Sequence, residues 1–172
     1  MDPDPRTIPE PSSTLPENVL GSPEACSPST EAWWTELPAP EPSRVGLTQE
    51  AADLLVRLVD RHGPVIFHQS GGCCDGSAPM CYPAGEFRVG TQDILLGRIA
   101  PGTAEGGVPV WIGAAQFDYW RHTQVTIDVV PGRGAGFSLE GPEGLRFMIR
   151  SRVFTDAEVD ALDAAVPPER GA

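Results

Sequence analysis

The chain has 172 residues, 40% of them hydrophobic, with a formal net charge of −12 and a sequence pI of about 4.5. That length fits one domain with a tail, and no apolar run approaches the ~18 residues of a membrane-spanning helix. An acidic surface disfavours unaided binding to nucleic acid or anionic lipid, and the absence of lysine, all 12 basic residues being arginine, excludes lysine Schiff-base chemistry and lysine-dependent phosphate loops.

The first 46 residues differ from the rest. They hold about half of the prolines and about half of the net charge, with Asp2, Asp4, Glu10, Glu17, Glu24, Glu31, Glu36 and Glu41 opposed only by Arg6 and Arg44. Such a composition cannot offset the entropy of ordering, so residues 1–46 read as a disordered tail. The acidic, proline-punctuated start lacks the basic and apolar parts of a secretory signal, and the expected setting is cytoplasmic. Trp33-Trp34 stands out in the tail, as a patch folding back on the domain or as a short docking motif; Cys26 reads as incidental.

A domain over residues 47–166 follows. Thr48 is a candidate N-cap, and Ala51, Leu54, Leu55, Leu58 and Val59 mark one helical face that Gly63-Pro64 ends. Val65-Ile66-Phe67 predicts a strand delivering His68 and a cysteine loop at its end. Short strands are expected at Glu86–Val89, Asp93–Ile99 and Val108–Ile112, and a short helix at Ala114–Arg121. Val125, Ile127 and Val129 alternate with Thr126 and Asp128, the pattern of a half-buried strand. Pro131–Gly136 reads as a turn, because its glycines lie between strands and lack the Lys and Ser/Thr of a phosphate loop. Extended segments follow at Phe137–Leu139 and Leu145–Ile149. Thr155 with Glu158 forms a capping-box signature for a last helix, and residues 167–172 read as a disordered end. The fold class is α+β, mostly β: short strands with flanking helices.

The chemistry concentrates in Cys73-Cys74-Asp75-Gly76-Ser77-Ala78-Pro79-Met80-Cys81. Soft thiolates select zinc, copper(I) or iron–sulfur clusters, and Gly71, Gly72 and Gly76 permit the tight bends that converging sulfurs need. Cys73, Cys74 and Cys81, with His68 as fourth ligand, are the candidate set for an iron–sulfur cluster or a soft divalent metal ion; Asp75 could add an oxygen ligand or orient a neighbour. The spacing departs from paired zinc-site cysteines. Two other readings therefore stay open: a redox or sulfur-carrying thiol, with Cys73 or Cys74 reactive and Cys81 as resolving partner, and buried structural cysteines in a metal-free partner-binding protein. His62, at a helix end, suits the helix dipole better than a metal, and His122 is a weaker ligand candidate. No Ser-His-Asp set or carboxylate pair stands out, which favours an accessory over a catalytic role.

Two resemblances add expectations. His68-Gln69-Ser70-Gly71-Gly72-Cys73-Cys74-Asp75-Gly76-Ser77, with Met80-Cys81-Tyr82-Pro83 and Pro131-Gly132-Arg133-Gly134, resembles a bacterial domain-of-unknown-function family, number seven-seven-nine, often encoded beside aldehyde dehydrogenases. The likeness spans about Leu47 to Phe154 and implies an association with aldehyde oxidation, an aldehyde dehydrogenase being the implied partner. More distantly, Leu47–Ala52, Gly71-Gly72-Cys73, Gly107–Ile112, Thr123–Val129, Gly136–Leu139 and Gly141-Pro142 resemble, in order, landmarks of the HesB-like A-type iron–sulfur carriers. This implies a compact HesB-like domain. Carriers place two further cysteine ligands near the C-terminus, whereas no cysteine follows Cys81 here, so only Cys73 maps onto a carrier ligand. The oligomeric state is left open, a homodimer included.

Overall fold

In a computed structural model, residues 42–72, 76–101, 106–134, 136–165 and 167–172 are described, all within the unit Trp33–Ala172. The elements are β1 (Val45–Leu47), α1 (Gln49–His62), β2 (Val65–Gln69), β3 (Met80–Pro83), β4 (Asp93–Ile99), β5 (Val108–Gly113), α2 (Ala114–Trp120), β6 (Thr123–Pro131), a 3-10 turn (Gly141–Glu143), β7 (Leu145–Val153) and α3 (Asp156–Ala164). The α+β class with more strand than helix is as the sequence implies.

Local signals place the helices. The Thr48 hydroxyl accepts from the Ala51 N–H, and Gly63, at φ 78°, ends α1 by donating to the Val59 carbonyl. Ala51, Leu54, Leu55 and Leu58 are fully buried on the inner face of α1. At α3 both halves of the capping box form, and Arg152 pairs with the Glu158 carboxylate at 2.6 Å.

The strands make two sheets, ordered β1-β6-β7 and β3-β2-β5-β4. β1 runs parallel to β6 and β2 parallel to β5; the β2–β3, β4–β5 and β6–β7 pairs are antiparallel. Phe67 of β2 and Phe147 of β7, both fully buried, join the sheets with rings edge to face, centroids 4.9 Å apart. Gly97, at a register shift in β4, lets Val45 of β1 approach closely.

Several expectations shift. Val45 and Leu47 are buried in β1, so the domain starts earlier than residue 47. His68 lies inside β2, which extends to Gln69. Glu86–Val89 is a turn region, and Met80–Pro83 takes the place beside β2. Phe137–Leu139 forms no strand, yet it covers the outer edge of β3. There the Cys81 N–H donates to the Ser138 hydroxyl at 2.8 Å and the Leu139 N–H to the Cys81 carbonyl at 3.0 Å. Residues 169–171, expected to be unstructured, run beside β4: the Leu95 N–H donates to the Glu169 carbonyl and Arg170 bridges Ile94. Long-range backbone partners, invisible to local pattern, cause these differences.

A buried carboxyl anchors the Ser138 segment. Glu140 is fully buried and accepts from the Ser138 hydroxyl, with a long 3.5 Å contact from the Phe147 N–H. Burial raises its pKa, partly opposed by the Ser138 bond. The folded state thus holds this proton more tightly than the unfolded chain. The resulting stability is fully present below the ordinary glutamate value and lost as pH rises through the raised one. Glu140→Ala is expected to lose about 2–4 kcal/mol in urea unfolding, since it strands Ser138 and opens a cavity. Glu140→Gln should lose less and flatten the decline in stability as pH rises above the ordinary glutamate value.

Glu158 behaves oppositely. The Arg152 hydrogen bonds, chiefly, hold its carboxyl down at about 2, with Thr155 adding to the effect. Its contribution is present above pH 4.5 and is lost as pH falls toward 2. Arg152→Ala should therefore cost about 1 kcal/mol near neutrality and make little difference at pH 2, as thermal melts at the two pH values would register.

Candidate functional site

The site builds outward from the end of β2. His68 is 6% exposed, and its Nε2 lies 2.9 Å from the Asp93 Oδ1 at the start of β4. The other Asp93 oxygen accepts from the Gly90 N–H at 2.7 Å, and the Asp93 N–H returns to the Gly90 carbonyl at 2.9 Å. Burial alone would raise the Asp93 pKa; the Gly90 N–H and then His68 outweigh it and hold the carboxyl below its ordinary value. An ionised carboxylate can only accept, so the His68 Nε2 carries the shared proton. In the neutral ring, Nδ1 is then left with a lone pair.

Aromatic rings close over this pair. Phe87 lies 4.4 Å from the His68 ring and stacks on Tyr82 at 4.9 Å, while the Tyr82 hydroxyl donates to the Met80 sulfur. These groups share the face of the sheet turned away from the Phe67 core.

The cysteine loop leaves β2 just beyond. Cys73, Cys74 and Asp75 lie outside the described residues, as do Cys26, Trp33 and Trp34; both flanks of the triplet are fixed. Upstream, the Gln69 carboxamide donates to the Gly71 carbonyl, and that of Gln116 in α2 donates to the Gly72 carbonyl at 3.0 Å. Downstream, the Gly76 N–H donates to the Ile149 carbonyl at 2.8 Å, and the Ile149 N–H donates to the Ser77 carbonyl at 2.7 Å. Gly72 has φ 89°, and a Cβ there would overlap the Ser77 side chain. The loop therefore closes on itself at Gly72 and Ser77, and glycine is required at its neck.

Cys81 and His68 do not meet. In the β2–β3 ladder Phe67 stands opposite Cys81, and His68 opposite Met80. Side chains alternate between faces, so Cys81 points with Phe67 into the core and His68 points the other way. Cys81 is fully buried, and burial, with the Glu140 charge, pushes its thiol pKa up. A single centre using both His68 and Cys81, as the four-ligand set required, is incompatible with this register. Among the described residues no group of three or more His, Cys, Asp or Glu side chains is placed to hold a metal. His122 contacts Arg121 at the surface, its Nε2 3.1 Å from the guanidinium Nε.

Sequence reading missed Asp93, Gln69, Gln116 and Phe87 as members of the site. Asp93 carried one legible signal, an acid three residues after Gly90, the spacing of a side-chain-capped turn. In the native protein Cys81 is expected to resist alkylation at pH 7 and to react only after denaturation. Peptide mapping of the labelled protein checks this, and labelling of Cys81 at the rate of an exposed thiol would contradict its burial.

No curated protein matches the chain. No solved structure matches it either. The family model described as domain of unknown function (DUF779) matches residues 54–153, more than half of the chain and a span that encloses the cysteine loop and the His68–Asp93 pair, so the chain belongs to that family.

Proposed function

We propose that the protein is a thiol-based sulfur carrier in which Cys73 or Cys74 is the reactive group and His68, oriented by Asp93, its proton acceptor. The observation supporting this reading is the His68–Asp93 pair: a nearly buried imidazole with its tautomer set by a carboxylate, five residues before Cys73 in the chain. A thiolate is the nucleophile in sulfur chemistry, and a neighbouring base raises its population near neutral pH.

The step is balanced without an external oxidant. His68 Nδ1 takes the thiol proton. The thiolate attacks the outer sulfur of a donor persulfide, whose S–S bond breaks as the new one forms. The departing thiolate recovers the proton from His68, leaving a persulfide on the protein. A dithiol redox cycle is less well supported, because Cys81, its third cysteine, is buried on the opposite face of the sheet. A metal or iron–sulfur centre would have to rest on Cys73 and Cys74 without combining His68 and Cys81. An aldehyde dehydrogenase as acceptor or client follows only from the family resemblance and belongs to this proposal as its partner arm.

Alkylation kinetics test the reading. One cysteine of the Cys73–Cys74 pair should label fast at pH 7, and His68→Gln or Asp93→Asn should slow it by about tenfold or more. Incubation with a low-molecular-weight persulfide should add the mass of one sulfur to the same cysteine. Uniformly slow labelling that is indifferent to His68→Gln defeats the proposal. So does anaerobically purified protein carrying stoichiometric iron or zinc that is lost in Cys73→Ser and Cys74→Ser, an outcome that would establish the metal reading instead.

A further inference from the structure

The turn that orients His68 is held from outside by the C-terminal segment 169–171. The Gly171 N–H donates to the Asp93 carbonyl at 3.0 Å, the Leu95 N–H donates to the Glu169 carbonyl at 2.8 Å, and Arg170 bridges Ile94. Gly171 also sits directly on the turn. A Cβ there would overlap the Gly90 carbonyl oxygen and come within 2.6 Å of a Val89 methyl. That carbonyl accepts the Asp93 N–H, and the Gly90 N–H donates to the Asp93 carboxylate. A continuous path of contacts therefore runs from Gly171 through Gly90 and Asp93 to the His68 Nε2. On its inner side the turn is anchored by the Ala114 N–H on the Gln92 carbonyl and by the pairing of Asp93 with Gly113 of β5.

We infer that residues 169–171 form a positioning strap, which fixes the proton-bearing nitrogen of His68 through Asp93 and releases it when the strap is lifted from β4. Seated, the strap presses the Gly90–Asp93 turn against the sheet and keeps the Asp93 carboxylate on the Nε2 side of the ring. Lifted, it removes the Asp93 and Leu95 backbone bonds, and the turn loses its outer support. The ring then exchanges between its two neutral tautomers, and the free lone pair is no longer confined to Nδ1. A ligand or partner that engages the C-terminal segment would thus act on the site without touching it, and Gly171 is the positioning residue through which it acts.

The inference concerns His68 and stands apart from the thiol reading, and its readouts do not involve cysteine. Long-range 1H–15N spectra of the imidazole report which ring nitrogen carries the proton, and amide exchange reports the Asp93 and Gly90 N–H bonds. In the full chain, His68 should show the Nε2–H signature, with Asp93 N–H protected. Gly171→Val should replace that signature with averaged ring-nitrogen shifts and speed exchange at Asp93 by about tenfold or more. Deletion of residues 167–172 should do the same without steric intrusion, which keeps the test valid where the valine variant folds poorly. Pro168→Ala, beside the strap but outside these contacts, should leave both signals unchanged. An unchanged His68 signature and unchanged Asp93 exchange in both the valine variant and the deletion, with circular dichroism intact, overturn the inference whatever the cysteines do.

Discussion

An extended chain repeats every two residues, and that period decides which groups can meet at the centre of this protein. In β2, Phe67 must face the core to contact Phe147 across the two sheets. Its neighbour His68 must then face outward, and the β2–β3 register carries the same choice to Cys81 and Met80. One aromatic contact thereby assigns Cys81 to the interior and His68 to the outer face. Shifting β3 by one residue would reverse the assignment, but it would also expel Cys81 from its slot under Ser138 and Glu140 and bury Met80 in its place.

The two polar clusters flanking this strand pair have different characters. The Cys81 N–H, the Ser138 hydroxyl and the Glu140 carboxyl form a buried hydrogen-bonded chain in the core. Burial there raises the Cys81 thiol pKa. His68 and Asp93 lie at the rim of the sheet, roofed by Phe87, and their hydrogen bonds leave one imidazole nitrogen uncommitted. That uncommitted nitrogen is what the proposed function draws on.

How much of this could be read from sequence follows from the range of each interaction. Thr48 and Gly63 delimit α1, and Thr155 with Glu158 opens α3, through contacts a few residues apart. β6 announces itself by alternation, although Thr126, expected on the outer face, is buried as well. Met80–Pro83 was legible only as part of the cysteine loop, because its outer-edge partner Ser138 lies 57 residues away. Asp93 is 25 residues from His68, and the backbone bonds of residues 169–171 to β4 join segments more distant still in sequence. The cysteines of the loop are legible in the sequence itself, whereas the partner of His68 emerges only with the fold.

The bonds at Ile149 have a further consequence. β7 is the terminal strand of its sheet, and its outward-facing N–H and carbonyl at Ile149 are both taken by the loop residues Gly76 and Ser77. An exposed strand edge is a template for pairing with another chain, so Gly76 and Ser77 serve as a guard rail against self-association. Displacing Gly76 and Ser77 from Ile149 would uncover adhesive backbone. Colloidal safety is thus vested in a few peptide units that adjoin the Cys73–Cys74 segment.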